Sequence, residues 1–280
     1  MTAIYRGMDR AALDAAYNNS AAVADSADYL SRWRERSAQV RAMPGARLDL
    51  PYGAQPRASL DYLPAGQPGA PLFVFLHGGY WQRNSKEMFA FVADGPHAHG
   101  VDVAVVGYTL APEARLADIV REIEQALTML AASAEEMGFD ANRIYVGGWS
   151  AGGHLTAVAS QWPVVRGALA ISGIYDLEPM ALCYINDKLR LDPNEIETLS
   201  PLRTLHDGMA PLHLAVGGNE LPELRRQSVA MKERADELGL PVSLNVLAGR
   251  HHYSIMDELA KPDGQLTADL LGLLARAGRG

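Results

Sequence analysis

The chain has 280 residues, of which 48% are hydrophobic, and this size and composition are typical of a single α/β domain with a large core. A formal net charge of −8 argues against a nucleic-acid partner, because nucleic-acid-binding domains are usually basic. The single cysteine cannot form a disulfide within the chain, which suits a reducing compartment. The N-terminus lacks the basic-then-apolar pattern of a signal peptide, and no apolar run approaches the ~20 residues of a membrane span. We therefore predict a cytoplasmic protein without a membrane partner.

The first part of the chain is predicted to be helical. Residues 8–45 are polar and alanine-rich with helical spacing, so we expect an N-terminal helical extension that Met43-Pro44-Gly45 ends. The next segment, Ser59–Leu63, alternates between apolar and polar side chains, which predicts an outer strand.

Short apolar runs then alternate with helical segments. A helix is predicted between Pro112 and Gly138, because apolar residues from Leu116 to Leu130 fall on one face. Repeated strand–helix units predict one α/β domain over residues 1–280, a mostly parallel sheet with helices on both faces. The predicted central strands are residues 72–76, 103–106, 144–148, 168–171, 212–216 and 242–247.

Residues 174–207 interrupt this rhythm. The segment contains Tyr175, Tyr184 and several prolines but no clear strand pattern. We interpret it as a cap-like insertion over the functional site, with a long surface excursion as the alternative.

The sequence Gly148-Trp149-Ser150-Ala151-Gly152 follows one of these strands and precedes a helical segment. This G-x-S-x-G pattern is typical of a nucleophile elbow, a sharp turn that raises a serine hydroxyl above the sheet. A serine needs a base to take its proton, a third group to orient that base, and N–H donors for the oxyanion.

The early loop His77-Gly78-Gly79-Tyr80 directly follows a predicted strand and resembles the HGGG-type loop of lipases and esterases. We predict the backbone N–H groups of Gly79, Tyr80 and Ala151 as oxyanion donors. His77 and Gly78 are predicted to shape the loop. The aromatic side chains of Tyr80, Trp81 and Trp149 are predicted substrate contacts, with simple core filling as the alternative for the tryptophans.

Two adjacent histidines, His251 and His252, follow the last predicted strand. We favour His252 as the base because it fits a G-x-x-H spacing from Gly249. A metal site is not expected here, since adjacent residues rarely face one ion and no third ligand motif is visible. No phosphate or dinucleotide loop appears either, so the predicted enzyme uses no cofactor and no metal.

A carboxylate should follow the strand that ends at Val216, and Glu220 occupies that place. Glu223 is a competitor within the next helix, and Asp176 is a third candidate at the start of the insertion. The sequence therefore predicts a triad of Ser150, His252 and Glu220.

Residues 75–82, 148–155 and 252–255 together resemble the arylformamidase, or kynurenine formamidase, branch of the α/β-hydrolases, which is similar to hormone-sensitive-lipase-type esterases. The resemblance runs from about residue 58 to the C-terminus, and HGGYWQ is its most specific string. It implies an α/β-hydrolase fold and hydrolysis of N-formylkynurenine to kynurenine and formate. The acid of the family maps onto Glu220, where animal members carry aspartate.

Two other functions remain open at this point. A short-chain carboxylesterase would use the same residues, and a non-catalytic binding protein on a hydrolase fold would lack one of them. The expected partner is a small acyl amide or ester. The oligomeric state is left open, with a homodimer as one alternative.

Overall fold

The computed structural model describes residues 2–277, and these residues form one eight-stranded sheet. The strand order is β1-β2-β4-β3-β5-β6-β7-β8, antiparallel where β2 meets β1 and β4 and parallel elsewhere. The predicted mostly parallel α/β sheet is confirmed. The strands are β1 Arg47–Pro51, β2 Ser59–Leu63, β3 Ala70–Leu76, β4 Asp102–Val106, β5 Phe139–Trp149, β6 Gly167–Ile171, β7 Leu212–Gly217 and β8 Val242–Leu247.

Helices cover both faces of this sheet. On β3, Leu72 and Val74 face one apolar core, while Phe73 and Phe75 face the other. The helices are α1 Arg10–Ala16, α2 Asn19–Ala22, α3 Ser26–Arg41, α4 Asp94–His97, α5 Leu116–Ala132, α6 Ala134–Met137, α7 Ala151–Ala159, α8 Glu178–Leu182, α9 Asn186–Leu189, α10 Pro193–Leu199, α11 Pro201–Thr204, α12 Pro222–Glu237 and α13 Gln265–Ala277.

The central strands bring two loops together. Every residue of β3, β4 and β6 is buried, as a parallel sheet covered on both faces requires. Leu76 at the end of β3 pairs with Gly148 near the end of β5. The loops that follow these strands therefore leave the same edge of the sheet side by side.

Several predicted elements have different positions or bounds; the strand predicted over residues 144–148, for example, begins at Phe139. Ser59–Leu63 was expected to be the outer strand, but it is the second strand, because the short and largely exposed β1 covers its edge. The helix expected from Pro112 to Gly138 begins at Leu116, where Asp118 caps the backbone N–H of Arg115. It ends at Ala132, and the short helix α6 follows and ends at Met137, where Gly138 forms the C-cap with a φ of 88°.

The N-terminal helical segment (residues 8–45) is part of the core. Leu13 and Tyr17 are fully buried against the α5 side of the sheet. Trp33 on α3 is buried on the opposite side, where its ring stacks on Phe91 at 5.2 Å. This segment therefore spans both layers of the fold at the edge where the two loops emerge.

The insertion (residues 174–207) contains α8 to α11 and packs on the N-terminal helical segment. The backbone N–H of Tyr184 donates to Asp14 Oδ1 at 2.8 Å. The insertion also contacts the loop after β3, since Gln82 Nε2 donates to the carbonyl of Ile185 at 2.6 Å.

Candidate active site

Ser150 lies at a strained turn between β5 and α7. Its φ of 59° and ψ of −117° are unfavourable for a residue with a Cβ, and its N–H donates to Ile171 O on β6 at 2.8 Å. Glycine is required on both sides of it. A Cβ on Gly148 would lie 2.4 Å from Gly152 O, and one on Gly152 would lie 1.9 Å from Leu76 O. The turn therefore requires glycine at positions 148 and 152, because the backbone comes too close to leave room for a side chain at either one.

His252 and Glu220 form a buried pair on the loops after β8 and β7. His252 Nδ1 lies 2.7 Å from Glu220 Oε2. Since the carboxylate can only accept, Nδ1 donates, and in the neutral imidazole Nε2 is then the acceptor. The other oxygen of Glu220, Oε1, accepts from Ser172 Oγ at 2.5 Å and from the N–H of Gly217 at 2.7 Å. The carboxyl group is held on both oxygens.

The alternative candidates have other partners. His251 Nδ1 accepts the N–H of Ser254 at 3.2 Å, and its ring meets Tyr29 edge-on. Glu223 pairs with Arg226 on α12, and Asp176 pairs with Arg203. Of the residues weighed for base and acid, the structure brings His252 and Glu220 together.

The glycine loop after β3 exposes backbone N–H groups. Gly79, Tyr80 and Trp81 all have positive φ, at 125°, 53° and 58°. The N–H groups of Gln82 and Arg83 both donate to Gly79 O at 3.0 Å, which closes a tight turn. Within the described chain, the N–H groups of Gly79, Tyr80 and Ala151 donate to no protein acceptor. They are available to a ligand.

His77 and Gly78 support this loop from below. The ring of His77 is fully buried and stacks on Tyr108 at 4.2 Å, and its Nδ1 lies 3.0 Å from Gly78 O. Burial lowers the pKa of His77 to about 4, so the ring is neutral at pH 7. A Cβ on Gly78 would lie 2.6 Å from the Trp149 ring, so the loop needs glycine there too.

A cavity of about 110 Å³ opens above the serine. Ser150, His252, Tyr80 and Trp149 line it, together with Gly79. The hydrogen bonds formed within residues 2–277 do not include one between Ser150 Oγ and His252. Such bonds are often long before substrate binds.

Trp81 was predicted as a substrate contact, but it does not line this cavity. Its side chain is fully buried and meets the His154 ring edge-on at 5.0 Å. The positive φ at Tyr80 and Trp81 turns the chain so that the indole enters the core while Tyr80 lines the cavity. Core filling, the alternative for this tryptophan, is what the structure shows.

The N-terminal helical segment supplies a wall of the cavity that the sequence analysis missed. Asn19, Ser20 and Leu30 line it. Ser20 Oγ lies 3.0 Å from the hydroxyl of Tyr253, which is also a lining residue. Tyr253 could have been found from its place beside His252, whereas the helical residues carry no sequence signal that separates them from a solvated helix face.

The insertion was expected to cap the site, but none of its residues is among those that line the cavity. The insertion instead contacts residues that hold the cavity wall in place. Tyr80 OH donates to Tyr17 O at 2.5 Å, and the hydroxyl of Tyr184 on the insertion lies 3.5 Å from the same oxygen. The predicted cap, residues 174–207, thus contributes no residue to the cavity wall, and the N-terminal helical segment supplies that part of the wall.

Two further features concern the described residues as a whole. Over residues 2–277, no group of three or more His, Cys, Asp or Glu side chains is arranged to hold a metal ion. In the same part of the chain, no helix combines the length and apolar character that crossing a bilayer demands.

The sheet order and the serine turn place the chain in the class of α/β-hydrolase enzymes, and a sequence model of the α/β hydrolase fold matches residues 73–194. Kynurenine formamidase of Danio rerio is 30% identical in an alignment of 264 residues that covers 89% of each chain. The chain belongs to the kynurenine formamidase family of α/β hydrolases.

The chain is also similar to solved structures. A crystal structure from Silicibacter sp., provisionally described as a thioesterase, is 32% identical with a TM-score of 0.83 over 91% of this chain and 97% of that one. An esterase of Pyrobaculum calidifontis, 17% identical with a TM-score of 0.72 over 90% and 92% of the chains, shares the fold.

Proposed function

We propose that the protein is an arylformamidase that hydrolyses N-formylkynurenine to kynurenine and formate without a cofactor or metal. One observation carries the proposal: Ser150 and His252 line one small cavity while Glu220 holds the far side of the imidazole at 2.7 Å. The single cysteine suits a reducing compartment, and we propose the cytoplasm as the place of action.

In this proposal Ser150 is the nucleophile and His252 the general base. Ser150 Oγ attacks the formyl carbon while Nε2 of His252 takes its proton. Glu220 stays ionised and accepts a hydrogen bond from Nδ1–H, which stabilises the imidazolium that forms. The additional donors on Glu220, from Ser172 and Gly217, keep that carboxyl group from rotating away.

The oxyanion of the tetrahedral intermediate would be held by the N–H groups of Gly79, Tyr80 and Ala151. Their lack of protein acceptors supports this role, because an oxyanion site must be free in the resting enzyme. Each such donor typically lowers the barrier by about 3 to 4 kcal/mol.

The second half of the reaction separates the amine and then the acyl group. His252 protonates the aromatic amine as the C–N bond breaks, which leaves a formyl ester on Ser150. An aniline is less basic than an alkyl amine, so a triad of the esterase type can expel it. Water, activated by His252, then attacks the formyl ester and releases formate.

The size of the cavity supports a small acyl group. About 110 Å³ is well below the ~300–1,000 Å³ of pockets that enclose drug-sized ligands. Tyr80 and Trp149 line it, and both are almost completely buried and therefore fixed. A formyl or acetyl group fits this space, while the rest of the substrate must extend towards solvent.

A short-chain esterase is the second candidate. The same nucleophile and oxyanion donors would cleave an ester or thioester with a small acyl group, and the Silicibacter and Pyrobaculum structures carry such descriptions. The family relationship to kynurenine formamidases over 89% of the chain favours the formamide.

One set of assays separates these functions. We expect a higher kcat/KM for N-formylkynurenine than for p-nitrophenyl acetate, and a much lower one for the butyrate ester. Ser150→Ala should lose kcat on the order of 10⁶-fold, because the nucleophile is gone. A large preference for butyrate would rule out the formamidase. Failure of a fluorophosphonate probe to label Ser150 would favour a binding protein instead.

A further inference from the structure

The charge of the cavity wall differs from that of the whole protein. The chain carries a formal net charge of −8, yet no aspartate or glutamate is among the described residues that line the cavity. Glu220 lies behind His252 and is shielded by it. Arg83 supplies the permanent charge of the wall, and this charge is positive.

The backbone of Arg83 is fixed next to the proposed oxyanion site. Its N–H donates to Gly79 O at 3.0 Å, and a Cβ on Gly79 would lie 2.3 Å from Arg83 O. The neighbouring Asn84 donates from its side chain to Gly78 O at 3.0 Å, and its carbonyl accepts Arg57 Nη2 at 2.5 Å. The start of the Arg83 side chain is therefore held at a constant position relative to Ser150.

The guanidinium itself is uncommitted. Over the described part of the chain, Arg83 forms no ion pair and no side-chain hydrogen bond, and it is exposed. By contrast, Arg226 and Arg203 each pair with carboxylates. Burial raises the pKa of Tyr184 on the insertion, and the positive charge of the nearby Arg83 opposes that rise.

We propose that Arg83 binds a carboxylate on the leaving-group part of the substrate, so that the enzyme selects formamides of aromatic amines that carry an anionic amino-acid group. A guanidinium binds a carboxylate through two parallel N–H···O bonds, which fix orientation as well as charge. The inference rests on the proposed function. N-formylkynurenine carries such a carboxylate, whereas simple short-chain esters do not.

The chemistry of the step predicts which kinetic constant Arg83 affects. The carboxylate is remote from the breaking C–N bond, and its charge is the same in the bound substrate and in the transition state. Interactions of this kind lower KM and leave kcat nearly unchanged. The negative charge of the rest of the protein makes this local attraction important for capture of an anionic group.

The experiment compares N-formylkynurenine with its carboxamide, which is the same molecule without the negative charge. We expect Arg83→Gln to raise KM for N-formylkynurenine about tenfold, with kcat within about twofold and the carboxamide unaffected. Arg83→Lys should restore part of the loss, because charge returns without the two-pronged geometry. Wild-type KM for the carboxylate should rise with added salt, and this dependence should weaken in Arg83→Gln.

Arg143→Gln is the matched control, since Arg143 is exposed at the amino-terminal half of β5, away from the carboxyl edge. It should leave both KM values unchanged. Equal effects of Arg83→Gln on the two substrates, or no effect on either, would overturn the inference while leaving the formamidase intact. No hydrolysis of either formamide by the wild type, with p-nitrophenyl acetate still cleaved, would overturn the proposed function and this inference together.

Discussion

At the scale of single residues, Glu220 is the most constrained group of the site. Its two oxygens accept three hydrogen bonds, from His252 Nδ1, Ser172 Oγ and the N–H of Gly217. Ser172 has a φ of 52°, a conformation that a residue with a Cβ seldom adopts. The protein thus accepts backbone strain at the end of β6 where a hydroxyl is needed to hold the carboxyl group.

Replacement of Glu220 tests this arrangement. In Glu220→Gln the side chain keeps its shape but loses its charge, so the imidazolium is no longer stabilised and its tautomer is no longer fixed. We expect kcat to fall on the order of 10³- to 10⁴-fold, measured by steady-state hydrolysis of N-formylkynurenine.

Glu223→Gln is the control for that variant, because Glu223 pairs with Arg226 outside the cavity. Its kcat should stay within about twofold of wild type, because Glu223 contacts Arg226 and the hydroxyl of Tyr17 and does not line the cavity. Equal losses in the two variants would mean that Glu220 has no special relation to His252.

At the scale of elements, the turn between β5 and α7 depends on contact between backbones. Gly152 in the first turn of α7 lies directly against the end of β3, where Leu76 O would meet any added Cβ at 1.9 Å. The same packing places the first N–H groups of α7 beside the glycine loop. The position of Ser150 therefore depends on how closely α7 packs against the end of β3.

Gly152→Ala should consequently damage both stability and activity. The added methyl group must displace Leu76 or α7, which costs about 1 to 3 kcal/mol in a packed core and moves Ser150. Thermal unfolding and the rate of fluorophosphonate labelling would both report the change.

The comparison variant is Gly272→Ala on α13, where a Cβ meets nothing within 4 Å. The same substitution should stabilise the protein there by about 0.5 to 1 kcal/mol, because alanine favours helix. A Gly152→Ala protein with an unchanged melting temperature would contradict the steric account.

Sequence patterns predicted those elements whose chemistry is local. β3 and the end of β5 are apolar throughout, and Ser150 sits in a short motif, so both could be recognised from neighbouring residues. β1 is short and mostly exposed, and its two alternating leucines, Leu48 and Leu50, are too few to predict a strand. The cavity wall from Asn19 to Leu30 could not be predicted, because its polar residues look like those of a solvated helix until the fold is known.

At the scale of the whole molecule, buried neutral histidines couple stability to pH. His77 and His154 are both fully buried, and burial lowers the pKa of each to about 4. In the unfolded chain the pKa of a histidine is about 6.5. Between pH 6.5 and pH 4 the unfolded state therefore binds protons that the folded state does not bind. The free energy of unfolding that depends on these two neutral histidines is therefore fully present above about pH 6.5 and is lost as the pH falls towards 4.

We expect each of the two histidines to lower the free energy of unfolding by about 2 kcal/mol when the pH falls from 7.5 to 5. Urea unfolding at the two pH values measures this loss. His154→Gln should be less stable at pH 7.5, since it disturbs a packed site beside Leu199, but its loss on acidification should be smaller by about that amount.

His206→Gln provides the reference, because the His206 side chain is exposed to solvent in the folded protein. Its loss on acidification should equal that of the wild type. The same equality in His154→Gln would show that this ring does not contribute to acid sensitivity.

The contact between Ser20 and Tyr253 joins residues 233 positions apart. During synthesis on the ribosome, the helices that carry Ser20 emerge long before their partner exists. That side of the cavity is therefore assembled only after Tyr253 has been translated. A nascent chain that contains Ser150 and its elbow but not yet His252 and Tyr253 therefore lacks both the imidazole and the closed wall of the cavity.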